Sequence, residues 1–67
     1  MTNSIMIEEL IKSSGLKKGY IAKSLFISRQ SLINKISNKN EFKPSEIEGM
    51  CKLLKITNSK LKEKIFY

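Results

Sequence analysis

With 67 residues, the chain is too short for two hydrophobic cores, so we predict a single domain spanning residues 1–67. Thirteen basic residues against six acidic ones give a net charge of +7, which favours partners that carry negative charge. The sequence has no histidine, no aspartate and no glycine-rich phosphate loop, so we expect neither an enzyme nor a bound cofactor.

The single cysteine and the hydropathy of the sequence indicate in which cellular compartment the protein is expected. Cys51 is the only cysteine, so it has no partner for an internal disulfide and no histidine with which to bind zinc. No apolar stretch approaches the ~18 residues of a membrane span, and the N-terminus lacks the pattern of a secretion signal. We therefore expect a cytoplasmic protein that does not associate with a membrane.

Apolar residues recur at helical spacing in five short segments separated by turn residues, which predicts an all-α fold. The first helix is predicted at residues 4–14, with Asn3 or Ser4 as its N-cap. Gly15 follows it, at the position where a left-handed residue ends a helix.

The second and third helices are predicted to lie close together in the chain. The second spans residues 18–25, although Lys17 stands where a serine or threonine cap is expected. Ser28 is a good N-cap for the third helix, at residues 29–37. The two inward faces contain Ile21, Ala22 and Leu25 in the second helix, and Leu32 and Ile36 in the third.

The fourth and fifth helices complete the expected fold. Ser45 and Glu48 have the spacing of a capping box, which predicts a fourth helix at residues 45–55. A fifth helix is predicted at residues 58–66, capped by Thr57 or Asn58. The expected inward side chains of these helices are Ile47, Met50, Cys51, Leu54, Leu61 and Ile65.

Positive charge is concentrated in the middle of the chain. Residues 17–43 contain seven basic residues and a single acidic one, Glu41. Two short helices joined across residues 26–28 also have the dimensions of a helix-turn-helix, whose second helix enters the major groove of DNA. Together these features favour double-stranded DNA as the partner.

The segments GLKKGYIA (residues 15–22) and LFISRQSL (residues 25–32) resemble the Cro and lambda-repressor-like family. The similarity spans residues 5–66 and extends to ISNK at 36–39 and LKIT at 54–57, as in short stand-alone phage proteins of the family. The resemblance implies a compact five-helix lambda-repressor-like DNA-binding domain and a transcriptional regulator that represses by occupying an operator. Phe26 departs from the pattern, because the family usually has a glycine with positive φ in the turn.

The resemblance also implies which side chains read bases. The family's base-reading positions fall on Arg29, Gln30 and Asn34, with Ile33 beside them. Arginine matches O6 and N7 of guanine, glutamine and asparagine match N6 and N7 of adenine, and Ile33 would pack on a thymine methyl group. The alternative is that these residues form an ordinary solvated helix face.

Phosphate contacts are expected from polar residues around the same helix and in the loop that follows it. The expected phosphate-binding residues are Lys17, Lys18, Ser28, Ser31, Lys35, Asn38, Lys39, Asn40 and Lys43. Tyr20 either is partly buried or donates its hydroxyl to a phosphate.

The sequence leaves two questions about binding partners open. A helix-turn-helix scaffold also occurs in antirepressors, which bind another regulatory protein, so a repressor partner is the alternative to DNA. A homodimer on a palindromic operator is a second expectation, with contacts from Leu61, Ile65, Phe66 and Tyr67. Alternatively, Leu61 and Ile65 complete the core, and the last two residues form a frayed tail.

Overall fold

The computed structural model describes all residues from Met1 to Tyr67 and consists of five α-helices without strands. The helices are α1 (Ser4–Ser14), α2 (Lys18–Ser24), α3 (Arg29–Ile36), α4 (Pro44–Leu53) and α5 (Ser59–Phe66). The prediction of an all-α, five-helix fold is confirmed, and every helix end lies within two residues of its predicted position. None of the five helices has the length and apolar content needed to cross a membrane.

Side-chain caps explain why three of the helices begin where they do. The side chains of Asn3, Ser28 and Asn58 each accept a hydrogen bond from a backbone N–H in the first turn of α1, α3 and α5. Gly15 ends α1 with φ of 75°, as expected, and Lys17 precedes α2 without a side-chain cap. Local chemistry therefore sets the starts of α1, α3 and α5 and the end of α1.

The start of α4 corrects the sequence prediction. The helix begins at Pro44 rather than Ser45, and the backbone N–H of Lys43 donates to the carboxylate of Glu46 at 2.8 Å. Proline suits the first helical position for two reasons. Its φ is already helical, and an N–H at that position would have no partner within the helix, so its absence costs nothing. The N-cap is consequently Lys43, whose N–H donates to the Glu46 side chain, and the predicted capping box between Ser45 and Glu48 is wrong.

A single core of thirteen buried apolar side chains draws on all five helices and on the connections before α4 and α5. Cys51 is buried within it, as expected. Phe42 and Phe66 meet edge to face, with ring centroids 5.5 Å apart. The absence of a side chain at Gly49 lets α4 lie close to the end of α2, because a Cβ there would come within 2.5 Å of Cδ2 of Leu25.

The C-terminal helix belongs to the core, which agrees with the alternative in which Leu61 and Ile65 complete it and corrects both expectations for Phe66. Ile65 is fully buried and Phe66 is 4 % exposed, so neither is available to a second copy. Leu61 is half-buried against the core, and only Tyr67 projects into solvent. The carbonyl of Ile65 also accepts the N–H of Asn3 at 2.6 Å, so α5 is joined to the start of α1. Five short helices need this apolar stripe to close their core.

Candidate nucleic-acid interface

The connection between α2 and α3 is a tight helix end followed directly by the cap of α3. The N–H of Phe26 donates to the carbonyl of Lys23 at 3.1 Å, and the N–H of Ile27 donates to that of Ala22 at 3.0 Å. Phe26 has φ of 59°, a left-handed conformation that costs a residue with a side chain about 1 kcal/mol. The positive φ expected at this position is therefore adopted by a phenylalanine.

The four predicted base-reading residues lie on the outward side of α3. Arg29 and Gln30 are exposed, while Ile33 and Asn34 are half-buried. Nε2 of Gln30 donates to Oδ1 of Asn34 at 3.0 Å, so the two amides act as a pair one helical turn apart. Leu32 faces the core from the other side of the helix.

The loop that follows α3 folds back onto Asn34. The backbone N–H groups of Lys39 and Asn40 donate to the carbonyl of Asn34 at 2.8 and 3.3 Å. The hydroxyl of Ser37 donates to this carbonyl as well, at 3.2 Å. The structure thus brings two predicted phosphate-binding residues, both exposed, next to a predicted base-reading residue.

Asn38 has an internal role that its sequence position did not reveal. It ends α3 with φ of 67°, and its side chain accepts from the N–H of Thr2 at 2.9 Å and donates to the Thr2 carbonyl at 2.8 Å. The hydroxyl of Ser4 donates to the carbonyl of Ile36 at 2.5 Å, beside this pair. The predicted phosphate contact by the Asn38 side chain is corrected, because that side chain attaches the N-terminus to the end of α3.

Lys35 is the clearest departure from the predicted interface. It is 7 % exposed, and its Nζ donates to Oε1 of Glu46 at 2.5 Å. Burial alone would raise the pKa of Glu46, but the hydrogen bonds from Lys35 and from the Lys43 backbone, together with the positive charges of the two lysines, lower it below its ordinary value of 4.5. Lys35 therefore does not contact phosphate as predicted. It joins α3 to the first turn of α4 through a buried ion pair.

The remaining predicted phosphate-binding residues differ in whether their side chains already have a partner within the protein. Lys18 is half-buried and pairs with Glu8 of α1, with Nζ 2.9 Å from Oε1. The hydroxyl of Ser28 accepts from the N–H of Ser31 at 3.0 Å, so it caps α3. Five of the seven basic residues within 17–43 have no ion pair: Lys17, Lys23, Arg29, Lys39 and Lys43. The segments before and after α3 in the chain consequently both contain basic side chains without an ion pair.

Comparisons of the chain with protein-family models, with curated proteins and with solved structures found no match. No group of three or more histidine, cysteine, aspartate or glutamate side chains lies close enough together to hold a metal ion.

Proposed function

We propose that the protein is a sequence-specific DNA-binding regulator of transcription that inserts α3 into the major groove, as in lambda-repressor-like helix-turn-helix proteins, and represses by occupying an operator. One observation carries the proposal. The amide pair of exposed Gln30 and half-buried Asn34 lies directly against a basic loop, because the backbone of Lys39 and Asn40 is bonded to Asn34. Base-reading groups and phosphate-binding charge are adjacent in such an arrangement.

Sequence is read from the first turn of α3 in this proposal. Arg29 is exposed and unpaired, so its guanidinium is free to donate to O6 and N7 of a guanine. Gln30 pairs with an adenine, and Asn34 holds its amide through the hydrogen bond between them. Ile33, half-buried beside them, contacts a thymine methyl group.

Affinity comes from residues around α3 that touch only phosphates. Lys39, Asn40 and Lys43 follow α3 and are exposed, and Lys17 is exposed at the start of α2. Lys18 exchanges Glu8 for a phosphate on binding, which is feasible because an exposed ion pair contributes little stability. These contacts release counterions, so the affinity falls as salt concentration rises.

The direct test is selection of bound duplexes from a random pool, followed by affinity measurements at several salt concentrations. We expect enrichment of a short motif and an affinity that falls with salt. Exchange of Lys39 for alanine should weaken every duplex, whereas the same exchange at exposed Lys60 of α5 is the matched control and should change little.

The other outcomes of this selection are equally informative. A palindromic motif with half-sites about 34 Å apart would identify a homodimer as the binding species. If no motif is enriched and no duplex is bound in a salt-sensitive way, the DNA proposal is wrong. Capture of a repressor by such a protein would then favour the antirepressor role, in which the same scaffold modulates another regulator.

A further inference from the structure

The outward side of α2 forms a surface that the proposed DNA contacts leave unused. Tyr20, Lys23 and Ser24 are exposed at the i, i+3 and i+4 spacing that places them on one helix face. Gly19 adjoins them, and a Cβ built there would meet no atom within 4 Å. With Phe26, which follows the helix, these residues are called the α2 outer face.

Phe26 is the most unusual residue of this face, because two unfavourable features coincide there. Phe26 is 96 % exposed, the highest value among the exposed large apolar residues of the protein. Its backbone is left-handed, a conformation that a bulky residue rarely adopts. A glycine would remove both the strain and the exposed ring. The other residues with positive φ are Gly15, Asn38 and Lys55, which are glycine or polar.

The charge on this face indicates what kind of partner fits it. α2 contains no acidic residue, and Lys23 has no ion pair. Tyr20 is 55 % exposed, and Lys23 lies between it and Phe26 in the chain. This segment therefore offers an unpaired cation and two exposed aromatic residues, which are complementary to carboxylates beside a large apolar side chain.

We propose that the α2 outer face binds an acidic segment of a partner protein, with an apolar side chain of that segment packed on Phe26 and Tyr20. A carboxylate of the same segment pairs with Lys23. A second copy of this chain is a poor occupant, because it would bring another unpaired Lys23 to the contact. The proposal goes beyond DNA binding and does not depend on it.

The face is also separated from the proposed phosphate contacts at the start of α2. The helix has seven residues and is therefore about 10 Å long. Lys17 and Lys18 lie at its first end, while Phe26 follows its last residue. A partner on Phe26 would therefore leave Lys17 free.

The test uses the full chain and a displayed library of random peptides. Selection on the unmodified protein should enrich peptides in which acidic residues surround a large aliphatic or aromatic residue. Synthetic copies of the enriched peptides should bind the Phe26→Gly variant at least tenfold more weakly and the Lys23→Ala variant more weakly too. Lys55→Gly is the matched control, because it relieves the same left-handed conformation on a different surface and should leave peptide binding unchanged.

The two glycine variants should both keep the fold, since glycine suits the backbone at each position, and thermal unfolding checks this. The proposal is overturned if no acidic peptide is enriched, or if the enriched peptides bind Phe26→Gly as tightly as the unmodified protein. Loss of peptide binding in Lys39→Ala instead would place the peptide on the DNA surface and overturn it as well. Two further results would contradict it: dimerisation of the protein that Phe26→Gly abolishes, and weakened duplex binding by that variant.

Discussion

The helices α2 and α3 are consecutive and of similar length, yet they are held in different ways. α3 is fixed at its start by the Ser28 cap, near its end by the buried pair of Lys35 with Glu46, and just beyond its last residue by Asn38, which is bonded to Thr2. α2 has no side-chain cap and ends on the strained Phe26. Polar anchoring is thus concentrated on one helix of the two.

This difference matters because the proposed DNA binding depends on the orientation of α3. A rotation of α3 would displace Arg29 and Gln30 from any bases they read, so the proposed function requires that helix to be rigid. α2 is held mainly by the burial of Ile21 and Ala22, and its outer side is free to meet a partner. Disrupting the anchors of α3 should consequently cost much more stability than any change at the end of α2.

The largest effect is expected at the buried ion pair. Exchange of Glu46 for glutamine leaves Lys35 charged and buried without its carboxylate, which should lower the free energy of unfolding by about 3 kcal/mol. Urea denaturation measures this. Glu48→Gln is the control, since its ion pair with Lys62 is exposed and its loss should change little. If Glu46→Gln and Glu48→Gln lower the free energy of unfolding equally, the buried ion pair stabilises the fold no more than the exposed one.

A smaller loss is expected at the end of α3. Asn38→Gly keeps the left-handed backbone but removes the two hydrogen bonds to Thr2, at a cost of about 1.5 kcal/mol. Lys55→Gly tests the same conformation, with φ of 57° and no side-chain bond, and should raise stability. A gain of stability in Asn38→Gly would mean that the N-terminus does not anchor α3.

The sign should reverse at the end of α2. Phe26→Gly relieves the left-handed strain and removes a ring that the rest of the protein does not cover, so stability should rise by about 1 kcal/mol. Thermal unfolding at neutral pH is sufficient to measure this gain. A lower melting temperature would instead mean that the ring packs on the protein in solution.

The smallest effect is a dependence on pH at the anchor of α3. Because the folded protein lowers the pKa of Glu46 below 4.5, its carboxylate stabilises the fold above that pH. This contribution is lost as the pH falls through the lower folded value. The pKa of Glu48 is lowered as well, by its hydrogen bond from Lys62, so both glutamine variants should be titrated. Unfolding measured from pH 6 to pH 2 should be less pH-dependent in Glu46→Gln than in the unmodified protein.

The sequence predicted the helices well because their signals are local. Asn3 and Ser28 cap backbone groups within three residues, and apolar spacing sets the inward faces. Lys35 shows where local signals end. It follows Leu32 by three residues and so borders the buried face, but its partner Glu46 is eleven residues away in another helix. No spacing rule connects two helices whose packing is unknown.

The sequence left the C-terminal residues undecided between a dimer surface and the core for a related reason. Whether Ile65 and Phe66 enter the core depends on how much apolar surface five packed helices absorb, which composition does not determine. Pro44 is different, since proline at the first position of a helix is a local signal, which places the start of α4 at Pro44 and its N-cap at Lys43.

The most direct test of the central claim, that α3 reads base sequence, compares Arg29→Ala with Lys39→Ala on the selected duplex and its single-base-pair variants. We predict that Arg29→Ala removes the preference at one position, a loss of about 1–3 kcal/mol on the preferred duplex. Lys39→Ala should weaken all duplexes alike and reduce the salt slope by about one. If Arg29→Ala weakens every duplex equally, or if neither variant alters binding, α3 does not read sequence as proposed.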